Sequence, residues 1–153
     1  MSAVNEARLT GGCQCGAVRY RLEAEPTGSN ICHCRMCQKP SGGLFMVFTG
    51  VRAGALVWTR GSLKVFASSA MAERGFCADC GTPLTYRILN RSRISVTVGS
   101  LDKPSAVAPA TQYGVESKLP WLHAIGALPH RDIAELFGPG DAVGSRQHPD
   151  HES

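Results

Sequence analysis

Short apolar segments separated by turn residues recur along the chain. Residues 17–22 alternate apolar and charged side chains, which is the pattern of a strand with one buried face. Further strands are predicted where apolar runs of strand length recur: 44–48, 55–58 and 63–66 as core strands, and 85–88 and 94–98 in the same pattern. Because no long amphipathic helix separates these runs, the chain is predicted to be mainly β, a single small domain of antiparallel sheets.

The remaining segments predict loops, one last strand and one helix. Proline and glycine interrupt residues 23–30, which are predicted to form a loop. Residues 112–116 are a candidate last strand, and residues 131–137 predict one short helix. Between them, Trp121 is expected to cover the core, with contact to a substrate as the alternative.

The domain is predicted to span residues 9–137. Residues 138–153 are polar and rich in glycine and proline, so we expect them to form a disordered tail. His148 and His151 in this tail resemble a ligand pair, but histidines of a mobile tail are expected to be solvated.

Length, composition and charge limit the class of protein. A chain of 153 residues that is 43% hydrophobic can bury one ordinary core. Residues 1–10 hold no apolar run, and no later stretch reaches the length of a membrane span, so we expect a soluble, cytoplasmic protein without a membrane partner. The net charge of +4 is scattered without a run of like charges, so nucleic acid is not the expected partner.

The seven cysteines change the picture most. Their number is odd and cytoplasmic thiols stay reduced, so a disulfide framework is disfavoured and metal binding is the better interpretation. Three thiols, Cys32, Cys34 and Cys37, fall within six residues. Core packing does not require this density, but zinc prefers deprotonated cysteine sulfur as a ligand.

The other four cysteines form two pairs. Cys13 and Cys15 lie two apart on an extended chain and can face one metal together, although two small buried residues at a strand start fit the pair equally well. Cys77 and Cys80 form a Cys-x-x-Cys knuckle followed by glycine. A thioredoxin-like redox pair is the alternative, but it requires a βαβ context that the neighbouring sequence lacks.

Alternation also orders the dense cluster. Cys32 and Cys34 should lie on one side of the chain and His33 on the other, while Cys37 returns across a tight turn. His33 is therefore predicted to support the cluster without being a ligand. A site of three cysteines and His33 is the open alternative.

Zinc prefers four ligands, so seven thiolates divide naturally into four and three. A closed site joins distant segments and holds a fold together, whereas three protein ligands leave a position open for water or substrate. Two zinc ions per chain are predicted, one structural and one catalytic. The structural set is Cys13, Cys15, Cys77 and Cys80, and the catalytic set is Cys32, Cys34 and Cys37.

An open site of three thiolates favours a particular chemistry. Sulfur donation makes zinc a weak Lewis acid, but the metal still deprotonates a coordinated thiol. The predicted substrate is therefore a small thiol that attacks an electrophile, which is reversible carbon–sulfur bond chemistry.

Five blocks of sequence in order carry a resemblance to a known family: GGCQCG, CHCRMC followed by SG, FCADCGTPL, VGSLDKP and ESKLPWL. From Leu9 to Leu122 the chain resembles the glutathione-dependent formaldehyde-activating enzymes, a family that includes the domain of centromere protein V. The resemblance implies an all-β fold with a closed and an open zinc site, with the same division of the cysteines. It also implies that glutathione and formaldehyde are joined as S-(hydroxymethyl)glutathione.

The predicted function is a zinc-dependent carbon–sulfur lyase that acts on an adduct of glutathione, or another small thiol, with formaldehyde or a related aldehyde. Arg35, Lys39 and Ser41 beside the open site are candidates to hold the carboxylates of such a thiol. One alternative is a non-catalytic zinc module that binds protein or nucleic acid, most simply with His33 as a fourth ligand. The other is a zinc-containing methionine sulfoxide reductase, which would need a separate redox cysteine.

Overall fold

The structure is a computed structural model that describes residues 8–140 and 143–151. Most of the segment 1–10, in which the sequence holds no apolar run, lies outside the described residues. Part of the predicted tail, residues 141–142 and 152–153, also lies outside them. Neither α-helix of the described chain is long and apolar enough to cross a membrane.

Strands dominate the described chain, so the prediction of a mainly β protein is confirmed. The strands are β1 (Thr10–Gly12), β2 (Arg19–Leu22), β3 (Thr27–Cys32), β4 (Met46–Arg52), β5 (Leu56–Arg60), β6 (Lys64–Ala67), β7 (Ala72–Phe76), β8 (Pro83–Ile88), β9 (Arg93–Thr97) and β10 (Thr111–Tyr113). The α-helices are α1 (Arg35–Ser41) and α2 (Ile133–Phe137).

These strands form two sheets. The smaller sheet has the order β1-β2-β5, and the larger has the order β10-β3-β4-β9-β8-β7-β6. Neighbouring strands are antiparallel throughout, as predicted, except for the parallel pair β10 and β3. An isolated bridge between Gly11 and Leu101 ties β1 to the segment that follows β9.

Apolar side chains from both sheets meet in one main core. Leu84 and Val96 of the larger sheet are completely buried there, and Tyr20 and Leu22 of the smaller sheet are 1% exposed. A second, smaller cluster around Met46 and Phe48 of β4 lies beneath α1. Cysteine sulfur is part of both, since Cys13 and Cys77 belong to the main core and Cys37 to the smaller cluster.

Three strands lie where the sequence predicted none, and the first is β1, whose sequence TGG carries no apolar run. The second half of the predicted loop 23–30 is wrong, because β3 begins at Thr27 and pairs with both β4 and β10. Its first four residues, TGSN, are polar or glycine and none of its residues is fully buried, so the segment carries no alternating signal. Strand β7 was also missed, since its sequence AERGF combines charged and small residues.

Two expectations about burial were wrong. Strand β6 lies at the edge of the larger sheet with all four residues exposed, so it is not a core strand. Trp121 is 52% exposed and does not cover the core. By contrast, β10 and α2 confirm the predicted last strand and short helix.

The described part of the C-terminal tail contacts the domain at two points. The His148 N–H donates to the carbonyl of Gln14, 2.7 Å away. Arg19 donates to the carbonyl of His151 at 2.8 Å. The division of the chain into a domain and a disordered tail stays a prediction.

A buried ion pair joins β2 to the segment after β9. Arg19 and Asp102 are 4% and 6% exposed, and their two hydrogen bonds measure 2.8 and 2.6 Å. Burial alone would raise the pKa of Asp102, but hydrogen bonds from Arg19 and Thr10 outweigh it and hold the pKa below its ordinary value. The ionised carboxylate therefore stabilises the fold above the pKa of an unfolded aspartate, about 3.9.

Replacing Asp102 with asparagine is expected to cost about 3 kcal/mol of unfolding free energy at pH 7, because the buried Arg19 charge loses its partner. The cost should shrink as the pH falls from about 4 towards the lowered pKa of the native carboxylate, below which the wild-type side chain is uncharged as well. Urea unfolding of both proteins at several pH values measures this difference. The exposed pair of Arg131 and Glu135 is the control, and Glu135→Gln should change stability by less than about 1 kcal/mol.

Candidate functional site

All seven cysteines gather in two clusters of free thiols. Within each cluster the Sγ atoms lie within 4.8 Å of one another, close enough to hold a metal ion. The four-thiol cluster contains Cys13, Cys15, Cys77 and Cys80, and the three-thiol cluster contains Cys32, Cys34 and Cys37. The structure therefore brings together the two sets that the sequence predicted, and no cysteine is left for a separate redox role.

The four-thiol cluster connects the two sheets. Cys13 and Cys15 lie in the turn between β1 and β2, while Cys77 and Cys80 lie in the turn between β7 and β8. This second turn is closed by the N–H of Gly81, which donates to the carbonyl of Cys77 at 3.0 Å. The cluster thus joins two segments that are far apart in sequence, since Cys15 and Cys77 are separated by 62 positions.

The spacing of these sulfurs suits zinc. Four tetrahedral ligands with Zn–S bonds of about 2.3 Å would place their sulfurs about 3.8 Å apart. Cys15 Sγ lies 3.5 Å from Cys13 Sγ and 3.8 Å from Cys77 Sγ. Burial disfavours the Cys80 thiolate, but hydrogen bonds from Thr82 outweigh this and lower the pKa of Cys80 to about 6. Cys80 therefore favours the ionised form that binds metals, whereas burial raises the pKa of Cys77.

The three-thiol cluster is built on one short segment. Cys32 ends β3, Cys34 precedes the first residue of α1, and Cys37 follows within its first turn. The predicted tight turn is thus the first turn of a helix, in which the Cys37 N–H donates to the carbonyl of Cys34 at 2.9 Å. Cys32 and Cys34 are half-buried and 3.3 Å apart at sulfur, so the cluster has a face toward solvent.

Arg74 of β7 lies behind this cluster and was missed by sequence reasoning. It is 6% exposed, and its guanidinium donates to Cys37 Sγ at 3.4 Å and to Met46 Sδ at 3.6 Å. Burial raises the pKa of Cys37 to about 12, although the hydrogen bond from Arg74 acts in the opposite direction. Once β7 is recognised, alternation places Arg74 on the same face as the buried Ala72, which is the signal that could have revealed it.

His33 is not part of the three-thiol cluster. Its ring is 1% exposed, Nε2 pairs with Gln112 Oε1 at 2.9 Å, and the ring packs on Phe45. Among the described residues, no histidine, aspartate or glutamate joins the three sulfurs as a fourth candidate ligand. The alternative site of three cysteines and His33 is therefore not formed.

The three polar residues suggested as substrate contacts differ in their surroundings. Arg35 is exposed and donates to Gln38 Oε1 at 2.6 Å, and Lys39 is exposed in the last turn of α1. Ser41 donates to the carbonyl of Gln38 and accepts from the N–H of Gly43, so its hydroxyl holds the end of the helix. Arg35 and Lys39 thus keep their positive charge at the surface beside the cluster.

The chain after β10 packs directly on Cys34. Gly114 has a φ of +64°, and a Cβ at this position would lie 2.7 Å from the backbone nitrogen of Cys34. Next to it, the His33 N–H donates to the carbonyl of Tyr113 at 2.9 Å. Only glycine combines this backbone conformation with so close an approach.

Replacing Gly114 with alanine is expected to cost about 1–3 kcal/mol of stability and to displace Cys34, because it adds both backbone strain and a clash. Gly42→Ala is the matched control, since Gly42 has a φ of +63° but its new methyl group would meet no atom within 4 Å. Urea unfolding and cobalt uptake measure the two effects. If both variants behave alike, the contact with Cys34 has no consequence of its own.

Comparison with known proteins matches the chain to one protein family. The family model for "Glutathione-dependent formaldehyde-activating enzyme" matches residues 8–117. An uncharacterized lyase of Schizosaccharomyces pombe is 32% identical over 80 residues, which cover 52% of this chain and 58% of that protein. A Phaeosphaeria nodorum protein named "Putative glutathione-dependent formaldehyde-activating enzyme" is 38% identical over 80 residues, 51% of this chain and 42% of its own length.

Two further matches concern a bacterial relative and the fold. A Halomonas elongata protein with the same name is 32% identical over 84 residues, covering 50% of this chain and 54% of that protein. The chain thus spans about half the length of the curated relatives it matches. The crystal structure of a Rhodobacter sphaeroides protein superposes with a TM-score of 0.56 at 23% identity, over 67% of this chain and 98% of that one. This likeness concerns the fold alone.

Proposed function

Because the chain belongs to the glutathione-dependent formaldehyde-activating enzyme family, we propose that it is a zinc-dependent carbon–sulfur lyase. Its substrate would be an adduct of glutathione, or another small thiol, with formaldehyde or a related aldehyde. The observation that carries this proposal is the three-thiol cluster, in which Cys32 and Cys34 are partly exposed and no further cysteine, histidine, aspartate or glutamate joins among the described residues. A binding position is therefore left for a visiting thiol.

Both clusters suit zinc in donor type and spacing. The four-thiol cluster would hold a structural ion between the two sheets, and Cys32, Cys34 and Cys37 would hold a catalytic one. When bound at the three-thiol cluster, zinc would supply a cationic centre that favours the thiolate form of an incoming thiol.

The reaction requires a thiolate, a carbonyl and one proton. The sulfur attacks the aldehyde carbon and forms the C–S bond, the C=O π electrons move to oxygen, and that oxygen takes up a proton. The proton first lost from the thiol balances the one gained, and the reverse direction is the lyase reaction. The protein positions the reactants, and the exposed charges of Arg35 and Lys39 could pair with the carboxylates of glutathione.

The test is to purify the protein with its metal and measure formaldehyde-dependent consumption of glutathione above the spontaneous rate. About two zinc ions per chain and a clear acceleration are expected. Cysteine and 2-mercaptoethanol as competing thiols, and acetaldehyde as a competing electrophile, then define the substrate class. No acceleration with any of these thiols and aldehydes would contradict the proposal.

A reducing compartment follows from the same chemistry. All seven cysteines are free thiols, and the proposed ligands bind metal only as unoxidised thiolates. Thiols persist in this state in the cytoplasm, so we infer a cytoplasmic location. Fractionation of cells that express the tagged protein tests it.

A further inference from the structure

We propose that Arg74 is a positioning residue of the three-thiol cluster, which holds Cys37 from behind and offsets the negative charge of the bound thiolates. The inference rests on the proposed function only in that the cluster binds a metal ion. It concerns a residue that lies 37 positions from Cys37 in sequence and on a different element of the fold.

The guanidinium is fixed by four contacts. Two are the hydrogen bonds to Cys37 Sγ at 3.4 Å and to Met46 Sδ at 3.6 Å, and a third runs from Nε to the hydroxyl of Ser68 at 3.1 Å. The ring of Tyr86 lies against the guanidinium carbon, which is 4.8 Å from the ring centre. A side chain held on all sides in this way has one orientation, which aims its donors at sulfur.

Arg74 differs from the other buried arginine in its charge partner. Among the ion pairs of the described residues, none includes Arg74. Burying an uncompensated guanidinium costs several kcal/mol, so such groups are normally paired. Arg19, which is equally buried, has Asp102 for this purpose. The sulfur cluster is the anion that balances Arg74.

The cluster in turn needs a cation. Three thiolates carry one more negative charge than a divalent ion neutralises, and a visiting thiolate adds another. Charge-assisted hydrogen bonds stabilise such an excess in a poorly solvated site. The four-thiol cluster differs, since its sulfurs make hydrogen bonds with the Val18 N–H and the Thr82 hydroxyl, which are neutral groups.

Arg74 does not touch the substrate in this arrangement. It is 6% exposed and lies on the inner side of Cys37, whereas the solvent face is formed by Cys32 and Cys34. Replacing Arg74 should therefore change the metal affinity of the cluster and not only the turnover.

The experiment replaces zinc with cobalt(II) in the full chain and compares wild type, Arg74→Met and Arg74→Lys. Chelator competition gives the affinity of each of the two sites, and the sulfur-to-cobalt charge-transfer band reports on the thiolates. Arg74→Met is expected to weaken one site about 10–100-fold, leave the other unchanged and shift the band to lower energy, because the sulfurs lose a positive neighbour. Arg74→Lys restores the charge and is expected to recover most of the affinity.

The control is Arg93→Met, which removes an arginine of the same sheet that donates to oxygens of Thr27 and Gly50 and not to sulfur. It should leave both cobalt sites unchanged. If Arg74→Met does not fold, Arg74→Gln takes its place, because it keeps N–H donors without the charge. An unshifted band with wild-type affinity in the neutral variant, or no recovery with lysine, overturns the inference. A wild type that binds two cobalt ions without accelerating adduct formation contradicts the proposed function alone.

Discussion

Replacing Cys77 with serine is expected to abolish the cooperative fold. Cys77 is 1% exposed, belongs to the main core and lies in the cluster that connects the two sheets. Structural zinc contributes about 10–16 kcal/mol in small zinc domains, whereas a whole domain is stable by only about 5–15 kcal/mol. Loss of one of four ligands therefore removes a large part of the total stability.

Near-UV circular dichroism and limited proteolysis measure the loss, with zinc content determined on the same samples. The matched control is Asp79→Ser, which changes an exposed residue inside the same turn without removing a sulfur. It should keep two zinc ions and a cooperative unfolding transition. A Cys77→Ser protein that unfolds cooperatively at the wild-type urea concentration would show that the cluster does not hold the sheets together.

The cysteine clusters could be predicted from the sequence because cysteines at short spacings can be recognised as ligands of one metal ion without knowledge of the fold. A Cys-x-x-Cys turn or two cysteines on an extended strand can each contribute only a pair of sulfurs, so pairs must be combined. Combining Cys13 with Cys77 across the chain follows from the need for four ligands. No contact information is required for this step.

The strands that were missed show which features a local sequence pattern does not predict. Strand β3 begins with four polar or glycine residues and is at most partly buried, so its hydrogen bonds to β4 and β10 define it and not a pattern of apolar side chains. Its parallel pairing with β10 joins Asn30 to Thr111, which a local pattern cannot reveal. Helix α1 has only seven residues, and the spacing of Cys34 and Cys37 fits a tight turn equally well.

The environment of the three-thiol cluster was less predictable than its ligands. Arg74 reaches Cys37 only because β7 and α1 both approach Met46 of β4, a relation set by the packing of the larger sheet. His33 could be separated from the cluster by alternation, but its partner Gln112 lies 79 positions away. Side chains that support a site from distant strands thus need the fold.

Replacing Cys34 with serine is expected to abolish activity while leaving the fold intact. Cys34 is the N-cap residue of α1 and makes no capping hydrogen bond with its side chain, whereas serine is among the best N-cap residues. The substitution therefore removes a thiolate without weakening the helix. Since even contacts outside the ligand set change metal affinity about 10–100-fold, loss of a ligand should lower turnover by more than about 100-fold.

The expected Cys34→Ser protein binds one zinc ion per chain where the wild type binds two, and it still unfolds in one cooperative transition. This separates it from Cys77→Ser, because the three-thiol cluster lies within one segment and joins no distant parts of the chain. Met36→Ser, at a 46% exposed position of the same helical turn, is the control and should retain both ions. Undiminished formaldehyde-dependent consumption of glutathione by Cys34→Ser would mean that the chemistry occurs elsewhere.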